Sequence, residues 1–324
     1  MVSMPEFSWG NEALDSQLAK VRGFLSGEAR RSRDYVGLEI SRVLENKGKL
    51  LRPALVLLSS RLGNNSVENI TGIAAAMEMI HLATLIHDDV IDSATYRRGE
   101  SALHLRIGGA RTVLAGDWLL ARALSIAGRH YDTELFLFLN ERIEELCKAE
   151  ICQDASSGRP VVSRKEYLQR VDGKTAALLR LSCRTGAVVA GADLRTLDTL
   201  DHWALIVGRA FQMDDDALDY QGRQDRSVGS VSDDLRAGLS TLPLIIAWES
   251  GDGKIRELTG NGIPSSPRKR RQIRKKVIEL GAVELARKEA AALYQEARKH
   301  AHLLPSTGPQ DFSIILDRLM GRSR

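Results

Sequence analysis

The chain has 324 residues, 43% of them hydrophobic, and no Ser/Pro-rich linker interrupts their even spread, so one domain spanning residues 1–324 is expected. Its 46 basic and 42 acidic residues leave a formal net charge of only +4, which argues against a dedicated nucleic-acid binder. Three cysteines, Cys147, Cys152 and Cys183, make neither a disulfide framework nor a C-x-x-C pattern, which argues against a disulfide scaffold and a thiolate metal site.

The first residues, Met-Val-Ser-Met-Pro-Glu-Phe, have no basic or apolar targeting region. Apolar residues then recur at helical spacing over 13–25 and 51–62. The longest apolar run, 73–86, contains Glu78 and His81 and is too short to span a bilayer, so a cytoplasmic location is expected. Helical patterning returns over 113–126, and a further apolar stretch covers 204–213. Pro267 is expected to open a helix carrying Arg268 to Lys276, seven cations in nine residues, and a last periodic stretch covers 282–304. Alternating β-branched runs are nearly absent, so the expected fold class is all-α. The cationic run reads first as a solvated helix face. Peripheral membrane contact is its functional alternative, and no interleaved aromatic residues suggest nucleic acid.

Two clusters with the same D-D-x-x-D spacing follow the apolar stretches 73–86 and 204–213: Asp88-Asp89-Val-Ile-Asp92 and Asp215-Asp216-Ala-Leu-Asp219. On a helix, residues i and i+4 share a face, so Asp88 with Asp92, and Asp215 with Asp219, can each present paired carboxylates in one direction. A single such motif is most often a wet helix face or an N-cap. Two of them in apolar settings carry a charge that needs cancelling. Oxygen-only donors suit Mg²⁺, which takes a few carboxylates together with water and substrate phosphates.

Cations suited to phosphate lie nearby in sequence. Lys47-Gly-Lys49-Leu-Leu-Arg52-Pro53 marks a loop or helix start, where exposed N–H groups and the helix dipole assist anion binding. Arg97-Arg98-Gly99 follows the first cluster closely enough to fold back over it. Lys174-Thr175 follows Gly173, Gln212 precedes the second cluster, and His81 shares a helix face with Asp88. Singly, each is more often a surface cation, a cap or a core histidine.

Taken together, Gly48-Lys-Leu-Leu-Arg-Pro53, the stretch from Glu78 to Asp92, Arg97-Arg-Gly99, Gly173-Lys-Thr-Ala176 and Phe211-Gln-Met-Asp-Asp-Asp-Ala-Leu-Asp219 resemble the trans-isoprenyl diphosphate synthases, or polyprenyl synthetases, of medium- to long-chain type. Weaker matches are Gly116-Asp-Trp-Leu119 and Gly238-Leu-Ser-Thr-Leu-Pro243. The resemblance implies a helical bundle of the isoprenoid synthase type I fold around a deep central cavity, assembled as a homodimer. It implies that Asp88, Asp92 and Asp215, supported by Asp216 and Asp219, hold three Mg²⁺ ions that bridge an allylic diphosphate. Arg97 and Lys174 would add charge to that leaving group, and Thr175 and Gln212 would steady the reacting atoms. Lys49, Arg52, His81 and Arg98 would bind isopentenyl diphosphate.

The implied reaction is ionisation of the allylic diphosphate, attack by the isopentenyl double bond and loss of a proton to the released diphosphate. In this family a bulky aromatic four or five positions before the first aspartate stops chain growth early. Ala83 and Thr84 stand one turn back from Asp88, Ile80 two and Met77 three. With a rise of about 5.4 Å per turn, roughly one isoprene unit, this face implies a product of about thirty to fifty carbons.

Departures from the pattern include the absence of a lysine in Ser227-Val-Gly-Ser-Val-Ser-Asp-Asp234, for which Arg223 or Arg226 are candidate substitutes. Others are Leu239 before Thr-Leu-Pro, Leu50 after Lys49, and the extra carboxylate of Asp214, which is expected to raise a neighbour's pKa. Alternatives are a geranylgeranyl-length synthase, a non-catalytic partner subunit of a heteromeric synthase, and a terpene cyclase, which would not need the isopentenyl site.

Overall fold

A computed structural model describes residues 7–31, 35–45, 48–97, 100–156, 158–221, 233–305 and 308–321. Among them, helices α1 (Glu12–Ala29), α2 (Tyr35–Glu45), α3 (Leu51–Ser59) and α4 (Ile70–Ile91) lead to a two-stranded antiparallel ribbon, β1 (Tyr96–Arg97) and β2 (Glu100–Ser101). Then follow α5 (Leu103–Ile107), α6 (Gly109–Ala127), α7 (Thr133–Ser156), α8 (Arg164–Val171), a π-helical turn (Asp172–Ala176), α9 (Ala177–Val189) and α10 (Leu194–Gln221). The chain continues through α11 (Asp233–Ala237), α12 (Leu242–Glu249), α13 (Gly253–Thr259), α14 (Pro267–Glu279), α15 (Ala282–Ala301) and α16 (Gly308–Met320). The all-α expectation holds, and the helices read from periodicity at 13–25, 113–126 and 282–304 fall within α1, α6 and α15 with its exit. The pattern over 51–62 is α3 extended by one 3₁₀ turn, Ser60–Leu62.

Two compact units divide the chain. One comprises Met1–Leu139, Leu181–Asp201 and Leu304–Ile315, and the other Asn140–Arg180, His202–Leu303 and Leu316–Arg324. In the first, α4 packs against α1, α3 and α6. Its Ile73 to Ile80 are buried on every side, so α4 is a core helix with no wet face until His81. At 22 residues it is longer than the run 73–86 and is long and apolar enough to cross a membrane by length and composition, yet 67% of that window is buried inside the fold. Close packing depends on glycine at two places. A Cβ on Gly186 would lie 2.1 Å from the Val56 carbonyl oxygen, and one on Gly116 would lie 2.3 Å from Nε2 of His87.

The second unit is built on a core that includes Tyr167, Met213, Ala217, Tyr220, Leu235, Leu244, Ile273, Val277 and Ala286. Ser163 and Glu166 close a capping box at the start of α8, satisfying two orphan backbone donors. Helix α12 opens with Pro243 in its first turn and is buried from Leu242 to Ala247. Pro267 opens α14 as the sequence predicts. There Ile273 and Val277 turn inward, while Arg268, Lys269, Arg271 and Lys275 are exposed. The remaining cations of the run are engaged by the fold. Arg270 donates to the Pro264 carbonyl at 2.6 Å, Lys276 pairs with Asp252 at 3.2 Å, and Arg274 donates to the carbonyls of Tyr220 and Gln221 at 2.8 and 3.1 Å. All three cysteines are free thiols, Cys183 buried and Cys147 and Cys152 exposed.

Candidate functional site

In the first unit, the D-D-x-x-D motif occupies the last turn of α4 and its C-cap, Asp92, whose N–H donates to the Asp88 carbonyl at 2.8 Å. Leu82, Ile86 and Asp89 lie on one inward stripe and all are buried, whereas His81, Thr84, Leu85 and Asp88 are half-buried and Asp92 is exposed. The outer aspartates therefore share a more open face with His81, as their spacing predicts. Asp89 turns into the protein and is held by Arg97, whose Nε donates to Oδ1 at 2.8 Å and whose second guanidinium nitrogen pairs with the same oxygen. The arginine folds back over the cluster, on its middle member. Burial works against the Arg97 charge, but the bond to Asp89 and the fields of Asp89, Asp88 and Asp92 outweigh it and raise the pKa. Arg98 lies outside the described residues. His87, next to Asp88, is directed at α6, with Nε2 3.2 Å from the Val113 carbonyl and 3.3 Å from Asp117. Gly116 is what makes room for it.

Lys49 and Arg52 flank the N-terminus of α3. Leu50, between them, is the N-cap and adopts a left-handed conformation at φ 52°, a strained state for a leucine. Trp9 Nε1 and an Arg22 guanidinium N–H each donate at 3.0 Å, to the carbonyls of Lys49 and Gly48, and so brace this turn. The Lys49 ammonium sits 5.1 Å from the Phe7 ring centroid, and Arg52 is half-buried. Of the proposed tunnel residues, Met77, Ile80 and Ala83 are buried in the first unit. Thr84 is half-buried and bonds back to the His81 carbonyl at 2.8 Å.

The second motif, on α10, splits in the same manner. Met213, Ala217 and Tyr220 form the inward stripe, and Asp216 stands among them at 3% exposure, while Asp215 and Asp219 are half-buried. Each Asp216 oxygen has a donor: Tyr167 Oη at 2.7 Å and Gln212 Nε2 at 2.8 Å. Thr175 Oγ1 in turn donates to Gln212 Oε1 at 2.6 Å. The chain Thr175, Gln212, Asp216, Tyr167 thus ties the π-turn and α8 to the motif. Desolvation pushes Asp216 up to about 6 despite both hydrogen bonds, which pull the other way. Burial and the Asp216 charge push the Tyr167 phenol well above its usual value, so it remains a donor. The like charge of Asp215 also raises Asp216, and Asp214 is itself buried. Asp219 accepts from the Asp234 N–H at 3.1 Å, and burial together with Asp216 and Asp219 raises the Asp234 carboxyl.

Lys174 lies in the π-turn, where its ammonium pairs with Glu150 at 2.7 Å. A turn widened in this way displaces side chains from helical register and is frequent at functional sites. Two contacts hold it: Arg209 grips Asp172 with bonds of 2.7 and 2.6 Å, and Gly208 allows α10 to approach so closely that a Cβ there would be 2.6 Å from Ala176. Tyr167, Asp172, Arg209 and Glu150 were not indicated by the sequence. Tyr167 is a lone aromatic on a short polar helix, and the other three are ordinary charges until the fold pairs them. The segment lacking the usual lysine, with Arg223 and Arg226, lies outside the described residues apart from its last two positions, Asp233 and Asp234.

Chemically, the outer aspartates within each motif, Asp88 with Asp92 and Asp215 with Asp219, are oxygen donors of the kind Mg²⁺ takes. Residues 36–280 match the family described as polyprenyl synthetase. Over 318 residues the chain is 30% identical to nonaprenyl diphosphate synthase of Mycobacterium tuberculosis, covering 96% of this chain and 93% of that one. It is 34% identical to heptaprenyl diphosphate synthase component 2 of Geobacillus stearothermophilus, covering 72% and 73%. A polyprenyl synthase structure from Caulobacter crescentus CB15, complexed with calcium and isoprenyl diphosphate, superposes with a TM-score of 0.86 at 30% identity, over 97% of this chain and 96% of the other.

Proposed function

This chain belongs to the polyprenyl synthetase family and is a prenyltransferase of the all-α isoprenoid synthase type I fold, and from that premise we propose that it elongates an allylic diphosphate with isopentenyl diphosphate in a Mg²⁺-dependent reaction. The observation that carries the reading is the matched division of labour in the two motifs: each anchors its middle aspartate and leaves the outer pair, Asp88 with Asp92 and Asp215 with Asp219, on the more open face. Each pair would hold Mg²⁺. When bound, it supplies positive charge that stabilises the diphosphate as it departs. The residues of the chain supply position. Thr175 and Gln212, fixed through Asp216 and Tyr167, form a rigid polar row beside the outer aspartates of α10, so little reorganisation is needed as charge develops. Lys174 and Arg97 would add cationic charge to the leaving group, turning from Glu150 and Asp89 to do so. Lys49, Arg52, His81 and Arg98 would bind the second diphosphate, with Lys49 and Arg52 at the start of α3 where the helix dipole assists. The expected product is all-trans and about thirty to fifty carbons long, since no aromatic residue stands one turn before Asp88.

Purified protein incubated with Mg²⁺, labelled isopentenyl diphosphate and a series of allylic primers should yield elongated diphosphates, and Asp88→Ala should abolish them. Cyclic hydrocarbon formed without isopentenyl diphosphate would overturn the reading. The similarity to a protein named as component 2 of heptaprenyl diphosphate synthase favours a second reading, in which this chain works with a different subunit. Inactivity of the purified chain, restored by adding a second polypeptide from the same cells, would select it.

A further inference from the structure

We propose that His202, Glu296 and His300 form a binding site for a divalent transition-metal ion, Zn²⁺ by preference, separate from the aspartate motifs. One ligand atom from each of the three side chains lies within 4.8 Å of the other two. The residues come from two helices of one unit. Glu296 and His300 are spaced i, i+4 on α15, which stacks them on one face, and His202 on α10 meets them with its ring centroid 4.4 Å from that of His300 and the planes at 59°. Tilted rings at this separation can aim one nitrogen from each imidazole at a common point. Neither imidazole has a hydrogen-bond partner among the described residues that would fix it in another direction.

The donor set selects the ion. Two imidazoles and one carboxylate suit Zn²⁺, which takes such ligands at about 2.0–2.2 Å with a fourth position left to water, and they suit Mg²⁺ poorly because it favours oxygen alone. Drawing atoms that stand up to 4.8 Å apart onto one ion requires small side-chain rotations. Exposure permits them, as His202 and Glu296 are exposed and His300 is half-buried. The last turn of α15 adds the negative end of its dipole. Opposing it are Lys299 and Arg298 on the same turn, the latter tied to Asp317, and Arg209, which lies close enough for Glu296 to raise its pKa. Coordinate bonds must overcome this local positive field, so the affinity should be moderate, in the micromolar range.

His202 is thirteen residues before Asp215 on α10, about 20 Å along the helix axis, so an ion there clasps α10 to α15 and takes no part in the diphosphate chemistry. The test uses full-length protein without a histidine tag, in millimolar Mg²⁺ to saturate the aspartate motifs, titrated with Zn²⁺ against a chromophoric chelator. Wild type should take up one Zn²⁺ that His300→Ala and His202→Ala each weaken by roughly tenfold or more, and Zn²⁺ should raise the thermal midpoint of wild type but not of the variants. Prenyl transfer in Mg²⁺ should be unchanged by either substitution, which separates this site from the proposed active site. Uptake equal in wild type and variants would assign the ion to other groups, such as the exposed Cys147 and Cys152, and would overturn the proposal, as would no uptake by wild type.

Discussion

Asp89 and Asp216 occupy equivalent positions in their motifs, each at 3% exposure and each bonded to neighbours, but the partners differ in kind. Asp89 is held by a cation on a ribbon, and the pair is partly wet, with 41% of the Arg97 side chain exposed. Asp216 is held by neutral donors in the core, so loss of one leaves a buried oxygen unsatisfied. Tyr167→Phe keeps the ring and removes only the hydroxyl at 2.7 Å from Asp216. It should therefore cost about 1–3 kcal/mol, more than the net worth of an ordinary hydrogen bond. Urea denaturation of the variant measures this, and unchanged stability would mean that Asp216 is satisfied by other means. Activity should fall as well, because Gln212 then carries the orientation of Asp216 alone.

At the level of elements, the π-turn and α10 meet at a glycine. A Cβ at Gly208 would stand 2.6 Å from the Cα and Cβ of Ala176, so Gly208→Ala must push the turn that carries Lys174 and Thr175 away from Gln212. Overpacking of this kind costs about 1–3 kcal/mol, and a shift near 1 Å at reacting groups can cost on the order of a hundredfold in rate. The variant should stay folded by circular dichroism and lose most of its turnover. Gly23→Ala is the control, since nothing lies within 4 Å of its added Cβ in α1, and it should stabilise the fold by about 0.5–1 kcal/mol in the same denaturation assay. These contacts also mark the boundary of what periodicity conveys. The helices and the outward pairing of Asp88 with Asp92 follow from 3.6-residue spacing. The burial of Asp89 and Asp216 is legible too, because the apolar stripes 82, 86, 89 and 213, 216, 217, 220 run through the motifs. The π-turn was not, because one inserted residue in a helical run leaves no compositional trace. Arg274 shows the same limit. It belongs to a run that reads as a solvated face, yet its guanidinium caps the carbonyl end of α10 just beyond Asp219.

Product length depends on how much space the whole fold leaves along α4, and Ala83 is the residue at which two accounts of that space diverge. It is 2% exposed, one turn before Asp88 and in line with Ile80 and Met77. If its methyl borders the lumen that receives the growing chain, Ala83→Phe places the ring in open space, stability changes little, and the product distribution shifts to shorter prenyl diphosphates. If the methyl is packed against neighbouring helices instead, the larger side chain must displace them at a cost of about 1–3 kcal/mol, with no reason for the length to change. Chromatographic sizing of the products, alongside thermal denaturation of the same preparation, distinguishes the two. The tunnel assignment expects shortening with near-wild-type stability, and a destabilised variant that makes wild-type products would place the length-limiting wall on another helix.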